Sequence, residues 1–281
     1  MMIKKLLFLS LVTLFSFHTF AADYPSINPV PGGIAVVDLD NTYTNSTKVF
    51  FGKKRILVKE NETGWQAFIG LPLKIKPGKH KISLVDNKGN KKYKTFLVTN
   101  KDYETRHITI KNKRMVSPTK KDIERHYKEK PLMLAALKKW SENNNVQTDF
   151  ITPVDGRFSS IFGLKRIYNK QKRIRRHTGL DIAAPQGTNI KSPAKGTVIR
   201  TGSYFFTGNT VFIDHGQGLV TMYCHLNKTR VKAGQRLIQG ESIGTVGMTG
   251  RVSGPHLHWV VSLNNTKVDP KLFIPEDVSE K

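Results

Sequence analysis

The amino-acid sequence predicts a mainly β protein: an N-terminal immunoglobulin-like β domain, a helical connector and a C-terminal antiparallel β-sheet domain. Three observations carry that reading. Short runs rich in β-branched and aromatic residues, separated by turn residues, fill the stretch from Ala22 to about Asn112. Helix-start chemistry follows at Ser117-Pro118, ahead of an alternation of charged and apolar residues. Beyond Phe150 the texture changes to strands punctuated by glycine, among them Gly240, Gly244, Gly247, Gly250 and Gly254.

Taken in order, residues 1–21 have the three parts of a secretory signal peptide: Lys4-Lys5, an apolar run from Leu6 to Phe17, and Thr19-Phe20-Ala21 before the expected cut after Ala21 or Ala22. That apolar run is shorter than the roughly 20 residues that span a bilayer. No second run approaches that length, so the mature chain is expected to be periplasmic or secreted into the cell envelope, without stable membrane insertion. In residues 22–112, strands are expected at Gly33 to Leu39, Lys53 to Val58, Gly64 to Leu71, His80 to Val85, Tyr93 to Val98 and Arg106 to Ile110. Their turns are explicit in Lys76-Pro77-Gly78-Lys79 and Asp86-Asn87-Lys88-Gly89-Asn90. Whether this domain is a spacer, a lid or a docking module is open. Residues 113–147 form the connector, with Ser117 as N-cap, an interruption at Pro131 and a resumed helix over Leu132 to Trp140. Residues 148–281 hold strands at Gly196 to Thr201, Thr210 to Asp214, Leu219 to His225, Ser242 to Val246 and His258 to Leu263, with a hairpin turn over Asp214 to Gly218.

At 281 residues, 38% of them hydrophobic and 24% charged, the chain can build two modest cores. The formal charge of +25 either maintains solubility or draws the chain to polyanions. For a chain entering the envelope those are anionic wall polymers and lipid headgroups, and the signal segment argues against nucleic acid. Cys224 is the only cysteine, so no intrachain disulfide forms, and a small core residue is its expected role. The glycines are not a phosphate cradle, because no Lys-Ser or Lys-Thr follows at P-loop spacing.

The chemistry gathers in two segments, His177-Thr178-Gly179-Leu180-Asp181 and His256-Leu257-His258. Imidazole nitrogen and carboxylate oxygen are the ligands of catalytic zinc, where three protein donors leave one position for water. On extended chain, residues two or four apart share a face, so both pairs are expected to project into one cleft. A zinc ion at His177, Asp181 and His258 would leave His225 and His256 as proton shuttles for hydrolysis. His215 is expected to be a structural turn residue, His18 to leave with the signal, and His80, His107 and His126 to be surface or partly buried histidines. Lys170 to Arg176 places five basic residues before His177, either a cationic rim that attracts substrate carboxylates or an exposed loop sharing the overall charge.

His177-x-x-x-Asp181, Met222-Tyr223-Cys224-His225-Leu226 and Gly254-Pro255-His256-Leu257-His258 resemble the lysostaphin-type, LytM-like zinc endopeptidases that cut peptidoglycan peptides. The resemblance runs from about Ser159 to Pro270 and includes Gly187-Thr188, Gly234 and Val268-Asp269-Pro270. It implies one Zn²⁺ per chain on His177, Asp181 and His258, with His225 and His256 assisting catalysis. The order of signal, β domain and connector resembles Gram-negative envelope members. Some relatives use a tyrosine before the Gly-Asn pair to support the tetrahedral intermediate, a place where Tyr204 is either that group or a core aromatic; Phe205 and Phe206 could wall the groove. The implied function is a secreted zinc metalloendopeptidase acting on peptidoglycan cross-links or stem peptides in wall remodelling. The competing readings are a non-enzymatic regulator or activator of wall amidases, which the complete residue set opposes, and an enzyme aimed at foreign walls. The oligomeric state is open.

Overall fold

The computed structural model describes residues 24–275, apart from 40–42, 45, 62–63 and 144. The signal peptide expected over 1–21 lies outside the described residues. The N-terminal strands are β1 (Ile34–Leu39), β2 (Lys48–Phe51), β3 (Lys54–Arg55), β4 (Leu57–Asn61), β5 (Gly64–Gly70), β6 (Gly78–Val85) and β7 (Lys91–Val98). They form two facing sheets, ordered β1-β5-β4 and β3-β2-β6-β7. Alternation builds the space between them: Ala35, Val37 and Ile69 from one sheet meet Val49, Ile82 and Leu84 from the other.

The opposite face of β1-β5-β4 is also buried. Ile34, Leu57 and Phe68 join the core of the C-terminal sheet, packed with residues such as Leu180, Tyr223 and Trp259. A sheet apolar on both faces must be covered twice, so this sandwich is locked to the back of the C-terminal sheet. Polar ties reinforce the contact. Gln217 accepts from the Val58 amide and donates to its carbonyl, both at 3.1 Å, while Arg55 pairs with Glu142 and lies 4.4 Å from the Trp140 ring centre.

The segment expected to complete the N-terminal sandwich, Arg106 to Ile110, does not do so. Strand β8 (Thr105–Ile108) instead runs parallel to β10 (Lys165–Tyr168), which pairs with β11 (Ile174–Arg176). Asn169 clamps the union, its side chain accepting from the Ile110 amide at 2.7 Å and donating to the Ile110 carbonyl at 3.0 Å. A strand's local pattern says that it pairs, not with which distant edge.

Two helical expectations are also corrected. Ser117 caps the C-terminal end of a short helix, α1 (Lys113–Val116), and the N-cap of α2 (Lys120–Leu137) is Thr119. Thr119 and Asp122 form a reciprocal capping box, and Arg114 forks onto the Asp122 carboxylate at 2.7 and 2.5 Å. Pro131 does not interrupt α2. The loss of one backbone bond is outweighed by packing: Met133, Ala136 and Leu137 close over Phe212, Val220, Met222 and Val260.

The remaining strands are β9 (Arg157–Ser160), β12 (Leu180–Ala183), β13 (Asn189–Lys191), β14 (Gly196–Tyr204), β15 (Gly208–Gly216), β16 (Leu219–Thr229), β17 (Arg236–Leu237), β18 (Ser242–Val246), β19 (His256–Leu263) and β20 (Thr266–Val268). They form one ten-stranded sheet whose main path is β17-β14-β15-β16-β19-β12-β9. The expected hairpin joins β15 to β16 through Gln217 and Gly218, both with positive φ. Leu180, Ile182, Leu257 and Trp259 point to the back core. The residues between them point to the front, shared by α2 and an open cleft. Cys224 lies buried on this front face under α2, a core residue as expected, and burial pushes its thiol up to about 12.

Candidate metal centre and active-site cleft

Asp181 and His258 are direct cross-strand partners between β12 and β19, and Ala183 and His256 are the next pair on that face. His177 is not on a strand, contrary to the extended spacing expected for it, but in the 177–179 link from β11 to β12. Its amide donates to Leu164 O at 2.8 Å and its carbonyl accepts from Gly163 at 2.9 Å, which fixes the backbone in place of a ladder. The link passes so close to β19 that a Cβ on Gly179 would lie 2.5 Å from Trp259 O and 2.7 Å from the His258 ring. Only glycine permits that approach.

The three donor atoms converge. His177 Nε2 lies 3.0 Å from Asp181 Oδ1 and 3.1 Å from His258 Nδ1, and the latter two are 2.7 Å apart. His177 Nδ1–H donates to Ile161 O at 2.7 Å, which leaves Nε2 as a lone pair facing the group. Ligands about 2.0–2.1 Å from a tetrahedral ion are separated by roughly 3.3 Å, so the three donors fit a zinc-sized cation. Burial opposes ionisation of Asp181, but hydrogen bonds and charge from His177 and His258 outweigh it and hold its carboxyl well below the usual range. Burial pushes His258 down to about 4 despite Asp181, so its ring is neutral near pH 7, as a metal ligand must be.

His225 reaches the cleft through a defect in the sheet. Its neighbour Cys224 pairs with His258, so strict alternation would send His225 to the back core. Where β15 advances two residues, from Asn209 to Val211, the facing stretch of β16 advances three, from Tyr223 to Leu226, so β16 carries a bulge in which His225 takes φ 66°. Its amide donates to Thr207 O at 2.9 Å and its Nδ1–H to Thr249 O at 2.7 Å. The ring is thereby aimed at His256 and His258, with centroids 5.0 and 6.0 Å away. Burial, then the neighbouring His256 and His258, push His225 well below the ordinary histidine value. His256 donates from Nδ1 to Gly254 O at 2.8 Å, and its Nε2 lies 3.9 Å from Asp181 Oδ1. All five expected residues thus share one cleft of about 770 Å³.

Other expectations are redistributed. Tyr204 is 6% exposed, packs edge-on to Phe212 beneath α2, and does not line the cleft. Phe206 walls the groove while Phe205 is buried. His215 is structural but sits on β15 rather than in the turn, with Nδ1–H donating to Lys195 O and Nε2 accepting from Thr221 Oγ1, both at 2.8 Å. His107, expected to be a surface or partly buried histidine without a role, lines the cleft because β8 pairs with β10. Of the basic run, Arg173, Arg175 and Arg176 line the cleft and form its rim.

Sequence reasoning missed two arginines. Arg166, on β10, donates to Asp181 Oδ2 at 2.5 Å and to Ser160 Oγ at 2.6 Å, leaving Asp181 Oδ1 for the donor group. Arg251 lines the cleft from the loop between β18 and β19. Neither has a local signal in a sequence this rich in arginine and lysine.

Residues 175–270 match peptidase family M23, and residues 27–101 match the peptidase family M23 N-terminal domain. A crystal structure of a peptidase M23 from Pseudomonas aeruginosa is 38% identical, with a TM-score of 0.73 over 89% of this chain and 96% of that one. Peptidoglycan DD-endopeptidase ShyA of Vibrio cholerae is 41% identical over 42% of this chain and 28% of its own length. DD-carboxypeptidase/endopeptidase Mpg of Neisseria meningitidis is 42% identical over 41% of this chain and 26% of its own length. The chain therefore spans little more than a quarter of these curated relatives. With both halves matched and nearly the whole of a solved relative covered, the chain belongs to peptidase family M23.

Proposed function

We propose that this chain is a zinc metalloendopeptidase of the cell envelope that hydrolyses peptide bonds in peptidoglycan cross-links or stem peptides, with one Zn²⁺ on His177, Asp181 and His258. The observation that carries the reading is the convergence of those three donor atoms within 2.7 to 3.1 Å of one another. The DD-endopeptidase names of relatives such as ShyA and Mpg support the substrate. Among the described residues no helix is long and apolar enough to cross a membrane.

A zinc ion held there supplies Lewis acidity, which acidifies water and polarises a scissile carbonyl. The chain's own residues supply the rest. Arg166 holds Asp181 Oδ2 and so orients Oδ1 toward the two imidazoles. His225 and His256 each commit Nδ1–H to a backbone carbonyl, which leaves Nε2 of each as a free base. These two nitrogens take the proton of the attacking water and return it to the departing amine, a contribution of roughly 10² to 10⁴-fold. Phe206 and Met222 give the cleft an apolar wall that limits water, and the arginine rim draws in the carboxylates of stem peptides.

The test is digestion of purified peptidoglycan followed by mass spectrometry of the fragments. Cross-linked fragments should convert to uncrosslinked or shortened peptides with new amine ends. An unchanged fragment profile with zinc-loaded protein would refute the peptidase reading, and stimulation of an added amidase without peptide cleavage would favour the activator.

A further inference from the structure

The cleft is electrically unbalanced in a way that hydrolysis alone does not require. Arg106, Arg166, Arg173, Arg175, Arg176 and Arg251 line it, and Asp181 is the one carboxylate among its described lining residues. Asp181 is already committed to His177, His258 and Arg166. Arg166 is therefore neutralised and Arg106 pairs with Glu104 at 3.7 Å, whereas among the described residues Arg173, Arg175, Arg176 and Arg251 have no acid paired with them.

Arg251 is the most constrained of these. Its amide donates to Phe206 O at 2.9 Å, and the adjacent Gly250 runs so close that a Cβ there would lie 2.5 Å from Gly208 N. Two residues earlier in the same loop, Thr249 holds His225 through its carbonyl and accepts from the Asn209 amide at 3.0 Å. The loop is thus anchored at both the catalytic and the rim side. The guanidinium carbon of Arg251 packs 4.6 Å from the Phe206 ring centre and 5.0 Å from that of Tyr168. Burial pushes Arg251 below the ordinary arginine value, Tyr168 opposes this, and Arg175 and Arg166 add to it. Arginine stays charged in such surroundings. Among the described residues no acidic side chain forms an ion pair with Arg251 or Arg175.

A guanidinium packed against aromatic faces keeps its planar edge of N–H donors for an acceptor lying in that plane, and a carboxylate is the acceptor whose two oxygens match the fork. We propose that Arg251, flanked by Arg175, recognises a free carboxylate of the peptide whose amide bond lies at the His177, Asp181 and His258 group. The assignment rests on the peptidase reading and refines it. Peptides with a free carboxylate near the cut bond are the preferred substrates, and peptides with that carboxylate amidated are poor ones.

Binding is best read apart from turnover. The full chain carrying His225→Ala is titrated calorimetrically with a cross-linked stem-peptide pair bearing free carboxylates, and with the same pair amidated. The free form should bind roughly 10- to 100-fold more tightly. Adding Arg251→Gln should bring the two within about twofold, since the charged donor is gone. Arg251→Lys, which keeps the charge without the planar fork, should lose most but not all of the preference and serves if the glutamine variant fails to fold. Equal binding of the two forms, or a preference that survives undiminished in Arg251→Gln or Arg251→Lys, overturns the assignment. Wild-type turnover separates the two ideas: selective binding without cleavage keeps this role for Arg251 and removes the peptidase, whereas cleavage without selectivity does the reverse.

Discussion

Replacing Arg166 with methionine isolates the contribution of the one cation that grips Asp181. The two side chains are 12% and 9% exposed, and their 2.5 Å contact is supported by the 2.6 Å bond from Arg166 to Ser160. Methionine fills a comparable volume but leaves a buried carboxylate oxygen without its donor. Truncating one partner of a buried pair costs about 3–5 kcal/mol. The imidazoles of His177 and His258 still lie 3.0 and 2.7 Å from Asp181 Oδ1, so the lower end, about 3 kcal/mol, is expected for metal-free protein. Metal affinity should fall by about 10- to 100-fold, because Oδ1 is no longer oriented from behind. Urea denaturation of chelated protein reads the first effect, and zinc titration against a competing chelator reads the second. Arg166→Lys should recover part of the stability but little of the affinity, since an ammonium cannot span Asp181 and Ser160 as the guanidinium does. Zinc affinity within about twofold of wild type in Arg166→Met would refute the orienting role.

Two further outcomes follow from the same geometry. His225→Ala should retain zinc and lose about 10² to 10⁴-fold in kcat, because this residue moves protons without contributing to the ion's donor set; zinc loss on dialysis would show that the roles are misassigned. His215, pushed by burial from an ordinary value of 6.5 to about 4, makes folding acid-sensitive. The unfolded chain takes up this proton first as pH falls, so stability is present above 6.5 and is lost between 6.5 and about 4, by about 3 kcal/mol in all. His215→Asn should flatten that slope in urea melts taken across the window, and an unchanged slope would show that other groups carry it.

The convergence of the candidate metal ligands was legible because most of them lie where local rules hold. His256 and His258 share a strand face by alternation, and Asp181 meets His258 across a regular antiparallel ladder. His177 was found by its residue type and spacing, although its link is not a strand and is held by long-range bonds to Gly163 and Leu164. His225 was found by its residue type, but the backbone defect that aims it was not legible, nor was the arginine behind Asp181. His225 turns into the cleft only because a bulge breaks the alternation of β16, and Arg166 arrives on a strand that pairs locally with β11 and, from far along the chain, with β8. Tyr204 had the right chemistry for the site but lies beneath α2, where its ring packs on Phe212. The helix errors have a similar cause. Tertiary burial of Met133, Ala136 and Leu137 carries α2 through Pro131, and the threonine after Pro118 supplies the better reciprocal cap.

Metal content tests the central claim most directly. Purified chain exposed to zinc and dialysed should hold one zinc per molecule by elemental mass spectrometry, and His177→Ala, treated identically, should hold almost none. A wild-type chain that comes through dialysis empty, or a His177→Ala chain that retains a full equivalent, would contradict the account.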